Sequence, residues 1–186
     1  GLYEDLPALY DLEFGRDTAA PSSTVAQFGN YWQGAAAATI TSTATDKGCG
    51  VTKVELYYNY APDNATWGGW TIYGNDTSKP WSWSFAWSPG AGYYNFTTRA
   101  YDAMGLVESL PGNGTAACAC DNVAPTSNAT NEGPYTRIDD TITINATAND
   151  ALTGIAYVGL YYRASMDNVT WTPWTLYTRD YAAPWQ

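Results

Sequence analysis

Polar and apolar residues alternate with period two over much of the chain. From 38 to 45, Ala38, Ile40, Ser42 and Ala44 face one way and Thr39, Thr41, Thr43 and Thr45 the other. That is the pattern of a strand with one buried face. The same alternation puts Val54, Leu56, Tyr58 and Tyr60 on one face, and Tyr94, Phe96, Thr98 and Ala100 on another. Trp81, Trp83, Phe85 and Trp87 form a third such row. Period-two placement marks these four aromatics as core or as an inter-subunit face. Strands are predicted near Ser23–Phe28, Ala38–Thr45, Val54–Tyr60, Thr66–Tyr73, Trp81–Trp87 and Tyr93–Asp102. Ala103–Pro111 starts a return that Thr115–Cys120 completes. Asp46–Gly50, Ala61–Ala65, Gly74–Pro80 and Ser88–Gly92 carry the Gly, Pro, Asp and Asn of turns. Helical periodicity is absent. About seven short strands in about 100 residues predict an all-β fold of two packed antiparallel sheets.

The pattern is written more than once. Val54–Trp81 recurs as Val158–Trp185 at an offset of 104 residues without a gap. From 17 to 82, 26 of 66 positions are identical to their partners. Gly1-Leu2-Tyr3-Glu4-Asp5-Leu6-Pro7 matches Gly105-Leu106-Val107-Glu108-Ser109-Leu110-Pro111 in the same register. A fixed-period repeat implies an array of like units. Residues 1–16 are read as the tail of a preceding copy and 17–120 as one complete repeat. Residues 121–186 are read as the front part of a following, incomplete copy. The expectation is a window onto a longer chain, whose neighbouring copies supply what the cut ends lack. Asp17–Ser23 and Asp121–Ser127 are the junctions, stiffened by Pro21 and Pro125.

Composition narrows the function. A net charge of −10 with only eight Lys and Arg argues against nucleic acid. There is no His, so a Ser-His-Asp or Cys-His arrangement is excluded within these residues. Carboxylates are numerous, but Asp46 and Asp63 recur as Asp150 and Asp167, which points to repeated turns rather than a catalytic pair. The chain is therefore read as non-enzymatic. No apolar run approaches the roughly 20 residues of a membrane span. Seven of twelve Asn lie in N-x-Thr sequons: Asn64, Asn75, Asn95, Asn113, Asn128, Asn145 and Asn168. With 34 Ser and Thr in 186 residues, chance gives about two. The functional reading is N-linked glycans on an extracellular surface; the alternative is a Thr-rich β-protein making sequons by accident.

The run Tyr94-Asn95-Phe96-Thr97-Thr98-Arg99-Ala100-Tyr101-Asp102-Ala103-Met104-Gly105 resembles the sixth-strand signature of fibronectin type III-like sandwiches. Asp46-x-x-x-Gly50-Val51, Val54-x-Leu56-Tyr57-Tyr58, Trp67-x-x-Trp70, Pro80-Trp81 and Asp121-x-x-Ala124-Pro125 complete the likeness. Together they resemble the immunoglobulin/fibronectin type III-like repeats of prokaryotic surface proteins, which are frequent in archaeal S-layer-associated and adhesin-like proteins. The resemblance implies a cell-surface spacer, stalk, adhesin or filament-forming array whose partners are copies of itself or neighbouring repeats. It brings no catalytic residues, and the inter-sheet Cys pair of antibody domains is not present.

Three sets of residues are candidates for local chemistry. Asp17, Asp46, Asp121 and Asp150 sit at junctions and turns, where they either cap the backbone or offer oxygen ligands to calcium. Cys49, Cys118 and Cys120 have no Cys counterparts in the neighbouring copies. Cys49 bridged to one of the others, or three buried thiols, are the two readings. Trp67, Trp70, Trp171 and Trp174 lie near turns and are the candidates for stacking on sugar rings. That placement keeps a carbohydrate-binding or adhesive module as a second function, and an accessory region of a secreted enzyme as a third.

Overall fold

The computed structural model describes residues 15–130 and 141–186. The expected preceding-copy tail lies outside them but for Gly15 and Arg16. Every regular element among the described residues is a strand. Among the described residues no helix is long and apolar enough to cross a membrane. The chain divides into two compact units, Gly1–Cys120 and Asp121–Gln186.

In the first unit β1 (Ser22–Val25), β2 (Trp32–Gln33), β3 (Ala37–Thr45), β4 (Val51–Ala61), β5 (Thr71–Asp76), β6 (Ser82–Ala86), β7 (Gly92–Asp102) and β8 (Ala116–Cys120) build two sheets. One has the order β1-β3-β6 and the other β2-β8-β7-β4-β5. Pairing is antiparallel except for the short parallel contact of β2 with β8. The alternating rows found in the sequence meet between the sheets. Ile40, Trp83, Phe85 and Trp87 come from one side, and Val54, Leu56, Tyr94, Phe96 and Ala100 from the other; all are buried. Phe85 is the hub, with its ring centroid 5.0 Å from Phe96, 5.2 Å from Tyr58 and 5.3 Å from Trp87. Burying each such side chain stabilises the fold by roughly 1.5–3 kcal/mol.

Two carboxylates organise the polar side. Glu55, on the outer face of β4, accepts from Lys53 Nζ, Tyr57 OH and Tyr101 OH, each at 2.8 Å. Glu108 links the two sheets. It accepts from Ser23 N at 2.9 Å, from Ser23 Oγ at 2.5 Å and from Ala100 N at 3.0 Å.

Two expectations are corrected here. The returning strand begins at Thr71, not Thr66, so Trp67 and Trp70 lie in irregular chain. Asp63 draws Ala65 N, Thr66 N and Thr66 Oγ1 into a tight turn. Asn59 Nδ2 then takes Gly68 O at 2.7 Å, a carbonyl that strand pairing would otherwise use. Pairing with β4 runs from Tyr58 opposite Thr71 to Val54 opposite Asp76, with a register shift between Leu56 and Tyr57 that skips Tyr73. In the second unit the alternation from 141 gives a strand only at Ala146–Asn149, and Ile142 is exposed.

The second unit has β9 (Thr126–Ala129) paired with β10 (Ala146–Asn149), and β11 (Val158–Tyr162) paired with β12 (Thr175–Asp180). Its local geometry follows that of the first unit. The register shift at Leu56/Tyr57 recurs at Leu160/Tyr161. Asn64 and Asn168 both take the left-handed conformation, with φ of 58° and 56°. Ser42 N donates to Trp81 O at 3.1 Å, and Ala146 N to Trp185 O at 3.0 Å.

Candidate functional site

Asp17, Asp46, Cys49 and Asp102 converge at one end of the first unit. One ligand atom from each lies within 4.8 Å of the others. Asp17 belongs to the junction before β1, Asp46 and Cys49 to the turn between β3 and β4, and Asp102 ends β7. Residues far apart in sequence meet because β4 pairs with β7, bringing Val51 opposite Asp102.

Each of two carboxylates is fixed through one oxygen by its own turn. Asp46 Oδ2 accepts from Gly48 N at 2.9 Å and Gly50 N at 2.8 Å. Gly50 permits this closure because its φ is +88°, a region that glycine enters without strain. Asp102 Oδ1 accepts from Met104 N at 2.9 Å and Leu106 N at 2.8 Å. The other oxygens, Asp46 Oδ1 and Asp102 Oδ2, are buried and have no hydrogen-bond donor. Asp102 is 4% exposed. Buried carboxylate oxygens ordinarily have a partner, and the group can coordinate a metal ion.

Asp17 closes the site. Its Oδ2 accepts from Cys49 N at 2.8 Å and its Oδ1 from Ala19 N at 3.1 Å. The hydrogen bonds from Cys49, main chain first and thiol second, hold the Asp17 carboxyl below its usual range. The same contact with Asp17 pushes the Cys49 thiol up. A Cβ on Gly48 would collide with the Asp17 carboxylate.

Of the four predicted cation ligands, the structure thus joins Asp17 and Asp46 and adds Asp102 and Cys49. Asp121 and Asp150 keep the turn-capping half of the arrangement. Asp150 Oδ1 accepts from Leu152 N at 3.0 Å and Gly154 N at 2.9 Å. Asp121 Oδ2 accepts from Thr153 N at 3.2 Å and Thr153 Oγ1 at 2.5 Å.

The remaining candidates separate clearly. Cys118 and Cys120 are buried in β8, whereas Cys49 is exposed. A bridge from Cys49 to either is not formed. Cys118 pairs with Tyr94, while Cys49 lies by Asp102 at the other end of β7. Eight residues of strand is about 26 Å, far beyond the roughly 7 Å Cα separation that a disulfide spans. Burial pushes the Cys118 thiol up to about 12.

Six sequon asparagines, Asn64, Asn75, Asn113, Asn128, Asn145 and Asn168, are exposed. Asn95 is half-buried on β7, and its sequon Thr97 is 1% exposed. Trp67 and Trp70 are half-buried, and Trp70 Nε1 donates to Pro111 O at 3.2 Å. Trp171 and Trp174 are exposed, with the Arg163 guanidinium 4.7 Å and 4.9 Å from their ring centroids. Residues 121–186 hold no counterpart of the Pro111 segment that covers Trp70.

Residues 15–103 match the family model described as a bacterial Ig domain. An Ig-like domain therefore occupies roughly the N-terminal half of the chain, and such sandwiches are generally non-catalytic. No curated protein and no solved structure matches the chain. Among the described residues no nucleophile–base arrangement accompanies the acidic cluster.

Proposed function

We propose that this chain is a non-enzymatic part of an extracellular glycoprotein built from tandem Ig-like units of 104 residues, serving as stalk, filament or adhesin array at a cell surface. One observation carries the reading. The turns, the register shift and the left-handed Asn of the first unit return at the same spacing in the second. Function in such an array is spacing and stiffness rather than chemistry, and short junctions set the path from unit to unit. The partners are other copies or neighbouring repeats. A cation held by Asp17, Asp46 and Asp102 would fasten the junction to the body of the unit. Calcium is the ion that carboxylate oxygens alone favour.

Glycopeptide mass spectrometry of the protein recovered from its own cells tests the surface reading. Glycans are expected at Asn64 and Asn168, and Asn95 should be bare. Seven unmodified asparagines would overturn the glycoprotein assignment. Solution scattering tests assembly, and discrete monomers at high concentration would count against a filament.

A second reading, a carbohydrate-binding module, is favoured by the 63% exposure of Trp174 beside Trp171. Polysaccharide pull-down separates the two. Binding that is lost in Trp171→Ala and Trp174→Ala supports the second, and so does loss in Trp67→Ala and Trp70→Ala.

A further inference from the structure

We propose that the site at Asp17, Asp46, Cys49 and Asp102 is a mixed carboxylate–thiolate centre that takes a zinc-class divalent cation, with Cys49 Sγ as a ligand. The proposal rests on the reading that this cluster holds a cation, and it specifies which.

The site is built before any ion arrives. Asp46 and Asp102 are each held through one oxygen by two main-chain N–H groups. Their second oxygens are buried without donors, and Asp102 is more than nine-tenths buried. Carboxylates gathered this closely repel one another unless a positive charge lies among them. The fourth corner decides the kind of ion. The Cys49 main chain is pinned by Asp17, and its Sγ belongs to the same group of atoms within 4.8 Å. In the second unit Thr153 holds the corresponding place. Its hydroxyl donates to Asp121 at 2.5 Å and is thereby used in capping. Thr supplies a neutral, hard oxygen, whereas a thiol gives up its proton to solvent as the metal–sulfur bond forms. Four donors including one sulfur match the four-coordinate shell of zinc, with metal–ligand distances of about 2.0–2.3 Å. Calcium requires about six to eight oxygens and gains little from sulfur. Soft thiolate donors shift preference toward zinc-class ions.

The test uses the full chain with cobalt(II) as a spectroscopic substitute for zinc, and calcium as a separate arm. Wild-type protein is expected to show a thiolate-to-cobalt charge-transfer band that zinc removes. Cys49→Ser should lose the band and weaken zinc binding, while any calcium-induced rise in Tm is kept. Asp102→Asn should lose every ion. Because Asp102 is buried and its replacement endangers folding, Gly48→Ala in the exposed turn is the second variant; its Cβ displaces the Asp17 carboxylate and should weaken binding of zinc and cobalt. Cobalt binding without the band, or a band that survives Cys49→Ser, overturns the thiolate assignment and leaves the cation reading standing. Absence of binding by calcium, zinc and cobalt alike overturns both.

Discussion

Leu56 and Leu160 occupy the same step of the same local structure, each just before a register shift and each followed by two tyrosines. Leu56 is fully buried, while Leu160 is only partly so. Ile40 and Ile144, Val54 and Val158, and Trp81 and Trp185 divide in the same way. The difference lies in what covers them. In the first unit the aromatic rows of β6 and β7 close over these side chains, and residues 121–186 contain no counterpart of Trp83–Cys120. Turn geometry forms in both units because its determinants sit within a few residues of one another. Burial is non-local and appears only where the second layer exists.

That contrast can be broken most forcefully at the core. Phe85→Ala removes the ring that joins the two sheets and should cost the first unit about 3–5 kcal/mol. Hydrogen exchange resolved by unit is the measurement, because a chain of two units need not unfold in one step. Unchanged protection in β3 and β7 would contradict the packing described above. A matched pair sharpens the point. Leu56→Ala should cost about 2–5 kcal/mol, and Leu160→Ala much less in its own unit. Equal losses would mean that the two faces are equally covered.

The turns should behave in the opposite way, with the two units matching. Asn64→Ala and Asn168→Ala each place a residue with a Cβ and no local hydrogen-bonding side chain at φ near +57°. Each should cost about 1–2 kcal/mol, and Gly at either place should restore most of it. Urea titration of each variant checks this; a penalty in only one unit would show that the turn depends on distant packing. The smallest effect concerns acid. The main-chain N–H of Thr66 above all holds Asp63 below the usual carboxylate range, and that of Thr170 does the same for Asp167. A depressed folded-state value means that the stabilisation is present above the unfolded carboxyl range. It disappears as pH falls through the folded value. NMR titration should find both shifted in the same direction.

Much of the fold was legible because strand alternation and burial share a period. The rows at Ile40, Leu56, Phe85 and Phe96 were identified from spacing alone, and all four are core. The turn at Ala61–Ala65 predicts a return from Thr66 that would carry Trp67 and Trp70. Nothing local announced that Asn59 would claim the carbonyl of Gly68. The two-residue β2 carries too little pattern to be read. At the acidic site, Asp17 and Asp46 stand out in the sequence because one sits at a junction and the other in a turn. Asp102 has no second copy within the sequence, and it meets Asp17 only through the pairing of β4 with β7. In the sequence Asp102 belongs to a strand signature and carries no ligand spacing. Glu108 was equally silent, since Ser23 and Ala100, the residues it joins, come from different sheets.

Glu108 has a consequence for a molecule that is pulled by its ends. Tension entering through the first strand reaches Ser23, whose main chain and hydroxyl both rest on this carboxylate. The same carboxylate grips Ala100 in the opposite layer. Peeling the first strand away must therefore also break its hold on β7, so the load is shared by both layers from the start. One acidic side chain acts there as a rivet.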